Sequence, residues 1–196
     1  MISIKKSDEN LYFSGHAYEL CKDDMSKLFT YRHDVFVKQL GWKLDLPHEE
    51  KSTNLEIDQF DHDETVYVFS KDEQHNITSC ARLLPTTEPY LLEQVFPKLL
   101  GGKSAPKSQD IWELSRFTSM TPGVNSNRLQ FGGKESLNLL NNTIEAAKGL
   151  GAKYLVSVSP LSVERLLRKN GFSVVRVGPV QQINGYSLVG CCIDLH

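Results

Sequence analysis

The sequence offers little that belongs outside a reducing cytoplasm. Its 196 residues include four cysteines, Cys21, Cys80, Cys191 and Cys192, with no CxxC pair and no metal-ligand spacing, so neither a disulfide framework nor a zinc module is expected. The N-terminus, MISIKKSDEN, lacks the apolar core of a signal peptide, and no run approaches the length needed to cross a bilayer. The chain is therefore expected to be soluble and cytoplasmic. Excess charge is lacking too: 22 Lys and Arg stand against 24 Asp and Glu, a net charge of −2 that gives no push toward nucleic acid or an anionic membrane. No repeat, low-complexity tract or interdomain linker interrupts the chain. With 40% hydrophobic and 23% charged residues it reads as one domain with a substantial core.

What is present is unevenly spread. Acids crowd the stretch from Asp45 to Glu73, where only Lys51 and Lys71 oppose them. From Arg128 to Arg176 the balance reverses, and a basic C-terminal face could receive an acidic partner, although a merely solvated surface is the commoner explanation.

Apolar periodicity predicts a helix from Glu19 to Leu40, with Leu20, Met25, Leu28, Tyr31, Val35, Phe36 and Leu40 on one side and Gly41 as its stop. The following LDLPHEEKSTNLEIDQFDHDE reads as a long acidic surface loop, and its length favours a functional loop over a plain connection. TVYVFS (from Thr65) and ITSCARLL (from Ile77) flank KDEQHN as a hairpin, with Pro85 as the end of the second strand. YLLEQVFPKLL predicts a short helix, and Gly132-Gly133 precede an amphipathic one built on Leu137, Leu140, Ile144 and Ala147. Then come a buried strand from Tyr154 to Ser159, a helix from Ser162 to Lys169 stopped by Asn170-Gly171, and strands from Ser173 to Val177 and from Tyr186 to Ile193. Such an order implies an α/β fold: one mixed, twisted central sheet flanked by helices.

The stretch DIWELSRFTS, from Asp110, conflicts with its own apolar pattern. In an extended chain Glu113 and Ser115 face one way while Trp112, Leu114 and Arg116 face the other, so charges enter both sides of one strand. Buried charges need partners. Arg32 in YRHDVF, Asp58 and Asp61 in IDQFD, and Arg82 in CARLLP each sit where an apolar pattern prefers something else. Together with Glu113 and Arg116 they make three arginines and three acids, a neutral set as a buried network requires. Opened to a cleft, such a network recognises a zwitterion bearing an amine and a carboxylate.

In order and spacing, YRHDVFVKQLGW, EIDQFD, CARLLPTT and WELSRF resemble the signature of the acyl-homoserine lactone synthases, the LuxI-type autoinducer synthases, over essentially the whole chain. The family's near-invariant positions fall on Arg32, Phe36, Trp42, Asp58, Asp61, Arg82, Glu113 and Arg116. The resemblance implies a fold similar to the GNAT N-acyltransferases in a single domain over residues 1–196, with roughly the first 40 residues as a mobile cover over the S-adenosylmethionine site. It also implies the reaction: an acyl chain passes from acyl-carrier protein, or in some members from acyl-coenzyme A, to the amine of S-adenosylmethionine, and lactonisation expels methylthioadenosine. S-adenosylmethionine is then a substrate, and no cofactor or metal is implied.

Within that frame Glu113 is the candidate base for the amine, or else a strand-holding ion-pair partner, and Arg116 orients loop and substrate. Asp58 and Asp61 are expected to face the amine and sulfonium while Arg32 or Arg82 balances the carboxylate, with a purely structural network as the alternative. Phe36 and Trp42 are expected against the adenosyl group, or simply in the core. The acyl chain is placed along SRFTSM and YLVSVSP, at Ser115, Phe117, Ser157, Val158 and Leu161. The hydroxyl of Ser157 stands where family members that take 3-oxo chains often carry one. Lys148, Lys153, Arg165, Arg168 and Lys169 suit the acidic surface of a carrier protein. Two other readings stay open: a GNAT-type enzyme acylating another amine from acyl-coenzyme A, with RLQFGGKES as its pyrophosphate loop, and a non-catalytic sensor of S-adenosylmethionine or of a carrier protein.

Overall fold

The computed structural model describes residues 2–7, 10–42, 54–123, 133–183 and 185–196. Among them nine strands follow the order β1-β2-β3-β4-β5-β6-β9-β7, with β8 paired to β9, and four α-helices accompany them in an α/β architecture. The chain divides into two compact units, Met1–Ala81 with Arg116–Thr143, and Arg82–Ser115 with Ile144–His196. The divisions fall inside β4 (Ile77–Pro85) and inside β5 (Ile111–Thr118).

In the first unit β1 (Ser3–Ser7) and β2 (Asn10–His16) form an antiparallel hairpin, and β2 continues antiparallel onto β3 (Val66–Lys71) with Leu11 opposite Lys71. The hairpin escaped the pattern reading because Ile2, Ile4 and Leu11 stay exposed, so no buried alternation marks it. β3 is buried at every position and reads as a central strand. The predicted helix from Glu19 to Leu40 is three pieces: a 3₁₀ turn (Ala17–Glu19), α1 (Lys22–Arg32) and a π-helical stretch (His33–Gln39). The wider turn is visible in Leu40 N–H donating to Val35 O over 2.9 Å, and the stretch buries His33, Val35 and Phe36. Leu28, Tyr31, Val35, Phe36, Tyr67, Phe69 and Met120 share one core, so much of the segment expected as a cover is core material. α3 (Lys134–Gly149) begins here, its Glu135 carboxylate held by Tyr12 Oη at 2.6 Å and Asn10 Nδ2 at 3.0 Å.

The second unit is mixed. β5 pairs in parallel with β6 (Tyr154–Pro160), which pairs antiparallel with β9 (Tyr186–Asp194). β9 in turn takes β7 (Val174–Arg176) and β8 (Gln181–Ile183), the latter lying between the two predicted C-terminal strands. α2 (Leu91–Gln94) is shorter than predicted and followed by a 3₁₀ turn (Pro97–Leu100), because Pro97 cannot continue the α-helix. α4 (Leu161–Lys169) buries Val163, Leu166 and Leu167 as its pattern predicts. Among the described residues no helix is long and apolar enough to cross a membrane.

Candidate active site

The charged cluster of the first unit grows from three local features. α1 delivers Arg32 from its last turn, the turn after residue 54 delivers Glu56, Asp58 and Asp61, and β5 delivers Arg116. Arg116 does not follow the strand's alternation. Its φ is +51°, a left-handed conformation that an L-residue adopts at a cost of about 1–3 kcal/mol and that re-aims its side chain.

Glu56 is the hub. Fully buried, it accepts Arg32 Nε on Oε2 and Arg116 Nη2 on Oε1 at 2.8 Å, with Arg116 Nε at 3.1 and 3.2 Å from its two oxygens. Each guanidinium then reaches an aspartate: Arg32 grips Asp61 with Nη1 and Nη2, both at 2.8 Å, and Arg116 Nη2 donates to Asp58 at 2.7 Å. Tyr67 Oη adds a donor to Asp61 at 2.7 Å, and Asp58 also accepts the Phe60 N–H at 2.9 Å. Burial alone would push the Glu56 carboxyl up, but the two guanidiniums overcome it and hold it at about 2. Burial likewise disfavours charge on Arg32, and the Asp61 and Glu56 carboxylates outweigh it, so its pKa lies well above the usual value. Phe36 and Trp42 stack 4.8 Å apart at 30°, with the Arg116 guanidinium 5.7 Å from the Phe36 ring centre.

Sequence reasoning named Arg32, Asp58, Asp61, Arg116, Phe36 and Trp42, and the first unit brings these together. It missed Glu56 and Tyr67. Glu56 was counted within the acidic surface loop, whereas it and Phe60 are buried; its only signal was its place two residues before Asp58 in EIDQFD. Residues 43–53 of that loop and the RLQFG part of RLQFGGKES lie outside the described residues, as does Gly132.

The second unit holds Glu113 and Arg82. Glu113 is fully buried, with Oε2 accepting the Leu91 N–H at 2.9 Å and Oε1 the Leu92 N–H at 2.7 Å, so both oxygens anchor the start of α2. Its side chain points from β5 to the first free N–H groups of a helix, where a carboxylate is favoured by both charge and geometry. Arg82, fully buried, donates Nε to Ser115 Oγ at 3.0 Å. Ser157 is buried on β6 and accepts from Ser159 Oγ at 3.1 Å, Val158 is half-buried, and Leu161 opens α4. Phe117, half-buried, belongs to the first unit.

Of the basic residues, Lys153 is tied to Asp110 at 2.7 Å and Arg168 to Glu164 at 3.2 Å. Lys148, Arg165 and Lys169 are exposed. No group of three or more His, Cys, Asp or Glu side chains that could hold a metal occurs among the described residues.

A family model described as autoinducer synthase matches residues 16–193. The acyl-homoserine-lactone synthase of Acinetobacter nosocomialis is 47% identical over 173 residues, covering 87% of this chain and 91% of the relative. Among solved structures, TofI in a ternary complex with an inhibitor and MTA is 40% identical, with a TM-score of 0.77 and coverage of 94% of this chain and 91% of that one. A putative N-acetyltransferase from Lactobacillus plantarum, 15% identical with a TM-score of 0.63 over 96% of this chain and 100% of that one, shares the fold alone.

Proposed function

The chain belongs to the autoinducer synthase family, and from that premise we propose that it acylates the amine of S-adenosylmethionine from acyl-carrier protein and closes the product to an N-acyl-homoserine lactone. At the coarser level it is an acyltransferase of the acyl-homoserine-lactone synthase kind. The observation that carries the finer reading is the pair of arginine bridges from Glu56 to Asp58 and Asp61, beside the stacked Phe36 and Trp42.

That arrangement suits the substrate's charges. S-adenosylmethionine carries a sulfonium and an ammonium, for which fixed carboxylates at Asp58 and Asp61 and an aromatic face are favourable partners. Its carboxylate calls for a guanidinium, and Arg116 is the candidate within this network, since Arg32 Nε and both its Nη atoms are already taken by Glu56 and Asp61. In the first step the amine, its ammonium proton lost to water, attacks the thioester carbonyl carbon, the C–S bond breaks, and the departing thiolate takes the N–H proton released as the amide forms. In the second the substrate's carboxylate oxygen attacks the carbon beside the sulfonium, and methylthioadenosine leaves with the sulfur's electron pair. Neither step changes oxidation state at a cofactor, and S-adenosylmethionine is consumed as a substrate.

Glu113 fits positioning better than proton removal, since both its oxygens already serve Leu91 and Leu92. The acyl chain is assigned, within the second unit, to the surface around Ser115, Ser157, Val158 and Leu161. The carrier protein is assigned to Lys148, Arg165 and Lys169, whose exposure leaves their charge available to an acidic surface.

The test is turnover by purified protein with S-adenosylmethionine and matched acyl-carrier-protein and acyl-coenzyme A donors, followed by methylthioadenosine release and mass spectrometry of the lactone. Lactone formation with a kcat/KM preference for the carrier-protein donor is expected. Preference for the coenzyme A donor would overturn the donor assignment, and binding without methylthioadenosine release would overturn the reaction.

A further inference from the structure

We propose that Glu56 is a positioning residue for S-adenosylmethionine, one buried carboxylate that sets the spacing of Asp58 and Asp61 through two guanidiniums; the inference rests on the function proposed above. Its geometry is that of a yoke. Arg32 turns Nε toward Glu56 and its Nη1/Nη2 edge toward Asp61, while Arg116 turns Nε and Nη2 toward Glu56 and shares Nη2 with Asp58. A guanidinium is a rigid planar fork, so fixing one edge fixes the direction of the other. A displacement of Glu56 is therefore passed to both aspartates at once.

Two further features show what Glu56 restrains. Arg116 sits at φ +51°, a strained conformation that persists only where the surroundings over-determine it, and Glu56 takes more of its N–H contacts than Asp58 does. The Glu56 N–H itself donates to Phe29 O at 3.1 Å, which ties the hub to α1 one turn before Arg32. Glu56 is fully buried, so it acts through the arginines rather than on substrate. Its carboxyl, held at about 2, stays charged throughout any assay range, which makes its contribution a fixed charge and not a proton transfer.

The test is the kinetics of Glu56→Gln with each substrate varied in turn, alongside Asp61→Asn. Loss of positioning raises KM for S-adenosylmethionine by about tenfold or more while KM for the acyl donor holds within about twofold. A merely structural defect lowers the active fraction, and so apparent kcat, at unchanged KM. Where Glu56→Gln does not fold, Glu56→Asp, which keeps the charge but retracts it by one methylene, is read in the same way, with about a threefold rise expected. If Asp61→Asn raises that KM and the folded Glu56 variant leaves it within twofold of wild type, the positioning role is wrong. If neither variant moves it, the assignment of the network to S-adenosylmethionine falls as well.

Discussion

Arg32 and Asp61 meet through two parallel N–H···O bonds of equal length, 2.8 Å from Nη1 to Oδ1 and 2.8 Å from Nη2 to Oδ2, with both side chains almost wholly buried. Fork-on-fork geometry of this kind is the one that lysine cannot reproduce. Arg32→Lys is therefore expected to cost about 2 kcal/mol or more, because Glu56 and Asp61 keep their charge but lose bonds in a buried place. Thermal unfolding would register a drop of several degrees, and methylthioadenosine release would fall further than the folded fraction.

Glu113→Gln is expected to act on stability first. An amide offers only one acceptor oxygen, and its NH₂ would face a backbone N–H of Leu91 or Leu92. A loss of about 1–3 kcal/mol follows from leaving a buried N–H unpaired. Denaturant titration beside turnover separates the roles: activity should track the folded fraction, and a fall of a hundredfold or so at unchanged stability would restore Glu113 as the base.

The Glu56 carboxyl lies at about 2 when folded against a reference of 4.5, so the unfolded chain binds its proton first as pH falls. Stability from this group is full above pH 4.5 and is lost on descending from there toward 2, by about 3 kcal/mol for the whole shift. Acid unfolding of the wild type should steepen in that window, and Glu56→Gln should flatten it. Equal acid midpoints and slopes for the two would refute the assignment.

Gly178 is a packing glycine. A Cβ built there would stand 2.2 Å from Leu99 O and 2.8 Å from Gly101 N, both backbone atoms that cannot swing aside. Gly178→Ala is expected to destabilise by about 2 kcal/mol or more, visible as a lowered melting temperature with both substrate KM values unchanged.

Charge reversal at Lys148, Arg165 and Lys169 should raise KM for an acyl-carrier-protein donor several-fold and steepen with falling salt, while an acyl-coenzyme A donor is unaffected. Reversal at Lys153 or Arg168 should act less on the donor, since those charges answer Asp110 and Glu164. Steady-state kinetics at two ionic strengths distinguishes the groups.

The α/β class, the family and six of the residues now gathered in the first unit were legible in the order of residues, because motif spacing and apolar period are local properties. α4 and β6 were readable for the same reason: α4 buries Val163, Leu166 and Leu167 at helical spacing, and β6 carries the continuous buried run Leu155–Ser157. Helix continuity failed at His33, where the backbone widens to a π-helical stretch that apolar periodicity does not record. The fate of each charge was settled by folding. Glu56 and Asp58 stand two apart in one acidic stretch, yet one became the buried hub of two arginines and the other lies at the network's margin. Glu113 accepts the Leu91 and Leu92 N–H groups at the start of α2, partners that its place in WELSRF does not announce. A carboxylate's partner is chosen by which donors the folded backbone leaves unsatisfied within reach, and that is a matter of three-dimensional position rather than of order along the chain.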